Sequence, residues 1–159
     1  MEDSPNGGLA TLSRTRSSGT WKTVGSLMEP LLSLQIAEPR RIYQPGDELE
    51  WECQIDAIEA NEIQAVETSV LWYTEGKGDE DLGVHFFNRR VPSDSEDRDL
   101  RPMHRFTTIL PNSPLSYSGK IVKVRWCARV RLFLKKGKEL YFEQPFTLGN
   151  VAAAQDDPS

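Results

Sequence analysis

No apolar run in this chain approaches the roughly 18 to 20 residues that a membrane-spanning helix requires, so no membrane span is expected. The N-terminus lacks the basic-then-apolar layout of a secretory signal, and the expected location is cytoplasmic. Basic charge is not in surplus. Lys and Arg total 19 against 24 Asp and Glu, a net charge of -5, which argues against a general nucleic-acid binder. Histidine and cysteine are scarce: His85, His104, Cys53 and Cys127 are scattered, without the short paired spacing of a structural zinc site, so no metal or cofactor is expected. No glycine-rich phosphate loop and no nucleophile turn occurs, and catalysis finds no support.

What the chain does have is short apolar runs punctuated by 11 Gly and 10 Pro, a pattern of turns and strands. The clearest run is 121–134. Val122, Val124, Trp126, Ala128, Val130 and Leu132 alternate with Lys123, Arg125, Cys127, Arg129 and Arg131. Period-two alternation sends the first set into a core and the second outward. Residues 48–56 alternate likewise, with Leu49, Trp51, Cys53 and Ile55 against Glu48, Glu50, Glu52, Gln54 and Asp56. Further strands are expected at 31–36, 65–74, 81–88, 105–110 and 139–148, with one helical turn within 57–65. Gly137 suits the left-handed position of the turn at 135–138. By parity Trp51, Trp72 and Trp126 belong to the core.

This organisation predicts one all-β domain over 28–149, an antiparallel β-sandwich, between flexible tails at 1–27 and 150–159. The N-terminal tail holds a possible basophilic phosphorylation site at 14–18, best read as solvated chain, and a lone Trp21 expected to dock somewhere. Cys53 shares the core face of its strand and Cys127 the basic face of its own. Their Cβ vectors diverge, and a reduced pair is expected.

The acidic face of 48–56 and the basic face of 123–131 suggest neighbouring strands in one sheet, locked by cross-strand ion pairs. The functional alternative is that Lys123, Arg125, Arg129 and Arg131 form an exposed stripe that contacts a partner or an anion. The charged loop 89–103, beginning with Arg89 and Arg90, is the other candidate contact surface.

Two acidic clusters, Glu75/Asp79/Glu80/Asp81 and Asp94/Glu96/Asp97/Asp99, supply the oxygen ligands that calcium uses. The intervening strand is roughly 23 Å long and sets them at opposite ends of the sandwich. Tyr73, Tyr117 and Tyr141 are candidates for a carbohydrate groove.

Three segments together resemble the arrestin-like family of β-sandwich domains: Ile42-Tyr-Gln-Pro-Gly-Asp-Glu-Leu-Glu-Trp51, Phe106-Thr-Thr-Ile-Leu-Pro111, and Pro114-Leu-Ser-Tyr-Ser-Gly119 leading into 121–134. The resemblance covers about 31–148 and implies a single immunoglobulin-like lobe. It also implies a non-enzymatic adaptor or scaffold that binds a protein partner by a sheet edge or end loops. Arrestins usually carry two lobes and this chain has room for one. Their receptor- and phosphate-sensing residues depend on contacts between lobes, and none is carried over. A calcium- or carbohydrate-binding module and a structural homodimer are the alternative readings.

Overall fold

Strand β3 (Glu48–Asp56) of the computed structural model buries Leu49, Trp51, Cys53 and Ile55 and turns the residues between them outward. The structure describes residues 9–10 and 31–149. The site at 14–18, Trp21 and the segment 150–159 lie outside the described residues. Within the segment expected as an N-terminal tail, Leu9–Ala10 form a short strand β1.

The first sheet runs β1, β2 (Leu31–Ile36), β3, β6 (His104–Ile109), each antiparallel to its neighbour. The second is built on β4 (Ile63–Gly76) and β8 (Val122–Leu134), the two longest strands. β5 (Leu82–Arg90) flanks β4, while β7 (Tyr117–Ser118) and β9 (Glu139–Phe146) share the far side of β8. The expected helical turn is a 3-10 turn at Ala60–Glu62. Together the sheets make an antiparallel β-sandwich.

The charged strands do not adjoin as expected. β3 lies in the first sheet and β8 in the second. Each row finds counter-charges nearer home: Arg105 on β6 takes Glu50 and Glu52, while the basic row of β8 meets acids on β4 and β9. Parity specifies which face a charge occupies, and either sheet satisfies it.

The core lies between the sheets. Trp51 stacks on Phe106 and meets Phe86 edge-on, and its Nε1–H donates to Thr68 Oγ1 at 2.9 Å. Thr68 Oγ1 in turn donates to the Arg129 carbonyl at 3.1 Å, so the buried indole N–H is satisfied through a link between the two sheets. Trp126 donates to the Pro114 carbonyl at 2.8 Å. Trp72 is partly buried against the same core.

The Pro-Gly turn also acts across the sandwich. Gly46 takes φ +89°, the left-handed value a type II turn needs after Pro45, and the Asp47 N–H closes the turn on the Gln44 carbonyl. Next to it, Tyr43 is buried. Its N–H donates to the Thr147 carbonyl, and its own carbonyl accepts the Gly149 N–H. The loop before β3 is thereby fastened to the chain that follows β9. Gly137 adopts the expected left-handed conformation, and Lys136 before it does the same.

Candidate functional site

The basic row of β8 occupies the outer face of the second sheet, and its arginines are already engaged. Arg125 Nε lies 2.6 Å from Glu75, Arg129 Nε 2.6 Å from Glu143, and Arg131 Nε 2.6 Å from Glu139. Arg131 also reaches Glu67 at 3.4 Å. The hydrogen bond that Arg131 donates to the Glu139 carboxylate holds its guanidinium above the ordinary pKa. Arg129 and Arg131 are largely covered. Lys123 sits opposite Glu75 and Ser118, half-buried. A row matched to acids on both neighbouring strands has little positive potential left for an anion.

Arg89 and Arg90 are consecutive strand residues and therefore part company. Arg89 joins the outer face, with Nη1 2.6 Å from Glu67 and its guanidinium 5.4 Å from the Phe133 ring centre. Arg90 turns inward, 6.0 Å over Phe106. Burial pulls its pKa below the ordinary arginine value, against the opposing pull of Cys53 and Asp94. Of the six residues singled out in the sequence, Lys123, Arg125, Arg129, Arg131 and Arg89 thus share one sheet face, and Arg90 does not.

Beyond Arg90 the loop is tied down. Asp94 accepts the Val91 N–H, and Arg101 grips Asp99 with Nε at 2.8 Å and Nη2 at 3.0 Å. Arg101 Nη1 also donates to the Ile58 carbonyl, and the Ile55 N–H donates to the Arg101 carbonyl. With Leu100 buried beneath them, these bonds hold the loop against the end of β3.

The sequence reading did not single out the edge of the second sheet. Among the described residues β5 is hydrogen-bonded to β4 on one side and to no strand on the other. Its outer face exposes Leu82 (57%), Val84 (53%) and Phe87 (56%). A β-bulge produces this arrangement. Leu71 pairs with Val84 and Val70 with Phe86, which leaves His85 as the extra residue. His85 Nε2 lies 2.8 Å from the Ile109 carbonyl and 3.1 Å from Thr108 Oγ1, and so spans from the edge of one sheet to the edge of the other. The available signal was the failure of strict alternation through Leu82-Gly-Val-His-Phe-Phe87.

The acidic clusters fall at opposite ends of β5, and among the described residues no group of three or more His, Cys, Asp or Glu is gathered as for a metal. Tyr73 and Tyr141 lie opposite Arg125 and Arg131 on the outer face, whereas Tyr117 pairs with Val124, which follows the inner-face parity of Trp126. The three tyrosines do not line one groove. Cys53 and Cys127 are free and buried, and burial pushes both thiols up to about 12, so neither is a nucleophile near neutral pH. No described helix is long and apolar enough to cross a membrane.

No family model matches this chain, and no curated protein does. Among solved structures, the fold is similar to that of Spo0M, a sporulation control protein from Bacillus subtilis, with a TM-score of 0.52 at 14% identity. The match covers 76% of this chain and 49% of that one, so this chain spans about half the length of its structural neighbour. At that identity the likeness is one of fold, and the fold is that of an antiparallel β-sandwich of the arrestin-like kind.

Proposed function

We propose that this chain is a non-enzymatic protein-interaction module of the arrestin-like family, working in the cytoplasm, that takes an extended segment of its protein partner onto the edge of β5. The observation that carries this reading is the apolar edge itself, which pairs with no further strand among the described residues. Natural sandwiches blunt or cover such edges, because a row of unpaired backbone groups beside exposed apolar side chains templates a further strand. β5 is nine residues long and carries three of the large exposed apolar residues. β6, the edge of the other sheet, is six residues long and carries only Ile109 from that set. Strand addition supplies main-chain hydrogen bonds for affinity, and Leu82, Val84 and Phe87 supply side-chain selectivity. The basic row is the weaker candidate, because its arginines already have counter-charges.

The test is capture from lysate by the full chain and by its Val84→Lys variant, combined with amide hydrogen exchange of residues 82–90 in the presence of the captured protein. Val84 is more than half exposed, so the substitution leaves the core alone. Loss of the captured protein with Val84→Lys, and protection of the β5 amides in its presence, supports the reading. Undiminished capture with unprotected β5 amides overturns it.

A further inference from the structure

We infer that the strand accepted by β5 is β5 of a second copy of this chain, added antiparallel across a two-fold axis so that the second sheets of the two copies become one. The inference rests on the reading of β5 as the binding edge and names its occupant.

The strand is self-complementary in charge. Asp79, Glu80 and Asp81 lead into it, all exposed, and near its other end stands Arg89, which is half exposed although its guanidinium also meets Glu67. Antiparallel association with another copy sets the acidic end of each strand against the basic end of the other, twice over. Parallel addition would set like against like and is disfavoured.

The bulge selects the register. Leu82, Val84, Phe87 and Arg89 face outward because they pair with Tyr73, Leu71, Ser69 and Glu67, whereas Gly83, Phe86, Asn88 and Arg90 face the core. In an uninterrupted strand, a two-fold axis normal to the sheet can oppose only residues separated by an even number along the chain, since opposed residues must share a face. His85 shifts that parity by one. The register that keeps faces matched along the whole strand therefore centres between His85 and Phe86. It opposes Val84 to Phe87 of the other copy and Leu82 to Arg89. Val84 and Phe87 of each copy then cover one another, and Arg89 of each copy stands beside Leu82 and next to the exposed acids that lead into the other copy's strand. One edge strand per copy is a small contact, so a dimer that forms and dissociates with concentration is expected.

The test uses the full chain in sedimentation velocity over a concentration series. Self-association is expected, with Val84→Lys weakening it by at least about tenfold. Raising the salt from about 0.05 to 0.5 M weakens it as well, because the strand ends are held by charge. Register is read by cross-linking. Chains carrying Val84→Cys mixed with chains carrying Phe87→Cys form a mixed disulfide under mild oxidation, while either variant alone does not, since identical positions are offset along the strands beyond disulfide reach. A monomer at every concentration overturns the inference, as does a dimer indifferent to Val84→Lys. A monomer whose captured protein is still lost with Val84→Lys separates the two ideas: the edge reading then stands and the second copy is excluded.

Discussion

Val84 and Phe86 are two residues apart on β5 and face opposite sides of the sheet, because their partners Leu71 and Val70 are adjacent on β4. His85 is the residue left over, and its ring nitrogen bonds to Thr108 and to the Ile109 carbonyl on the neighbouring sheet edge. The same insertion thus exposes Val84 and Phe87 and clips the edge strand to β6.

Replacing His85 with Ala removes the clip. The expected cost is about 0.5–1.5 kcal/mol of stability, the usual net value of a hydrogen bond. Amide exchange should quicken locally, in β5 and at the end of β6, while the centres of β4 and β8 keep their protection. Uniform quickening across both sheets in native-state exchange would show that the contact is not local.

Thr68 links three elements in the core, accepting from Trp51 at 2.9 Å and donating to the Arg129 carbonyl at 3.1 Å. Thr68→Val keeps the shape and removes both bonds, leaving a buried indole N–H without an acceptor. A loss of about 1–3 kcal/mol is expected in denaturant unfolding. Thr68→Ser retains the hydroxyl and should lose less than Thr68→Val. Equal losses from the two substitutions would mean that the methyl group, and not the hydrogen bonds, matters at this site.

The two thiols set an alkaline limit. Burial raises Cys53 and Cys127 from 9.0 to about 12, so the unfolded chain releases these protons first. Their contribution to stability is complete below pH 9.0 and is lost as the pH climbs through about 12. Equilibrium stability should fall across that window, less steeply in the double variant Cys53→Ala, Cys127→Ala. Some slope persists, because burial also raises Tyr43 and Tyr73. At pH near 8, native protein should be alkylated at least about 100-fold more slowly than unfolded protein. Rapid labelling of the folded chain would contradict the burial of both thiols.

The charge on β8 can be unmasked. Glu143 and Glu139 neutralise Arg129 and Arg131 at 2.6 Å each. The double substitution Glu139→Gln, Glu143→Gln is expected to raise retention on a heparin column at low salt. It should cost about 1–3 kcal/mol per pair, above the range for exposed ion pairs, because both arginines are largely covered and keep their charge. Strong retention of the unsubstituted chain would restore the basic row as a binding surface.

Local pattern alone determined the faces of this protein. Alternation put Leu49, Trp51, Cys53 and Ile55 on one side of β3 and Trp126, Ala128, Val130 and Leu132 on one side of β8, and all are buried. The Pro45-Gly46 turn was equally legible, because a type II turn demands φ above zero at its third residue. Period two follows from the geometry of a single strand and needs no knowledge of neighbours.

Which strands adjoin was a different matter. β3 and β8 carry opposite charges on their polar faces, yet each found its counter-ions elsewhere: β3 at Arg105, β8 at Glu75, Glu139 and Glu143. Pairing depends on chain connections and on burial over the whole sandwich, and a surface ion pair of about 0–1 kcal/mol cannot overrule them. The candidate site was hidden for a related reason. Arg89 and Arg90 look like one basic patch in the sequence, but strand geometry sends them to opposite faces. The exposure of Val84 and Phe87 required a bulge whose existence is written jointly in β4 and β5. Only the tertiary structure, by aligning Val70 and Leu71 against Phe86 and Val84, decided that these side chains would stand open at a sheet edge.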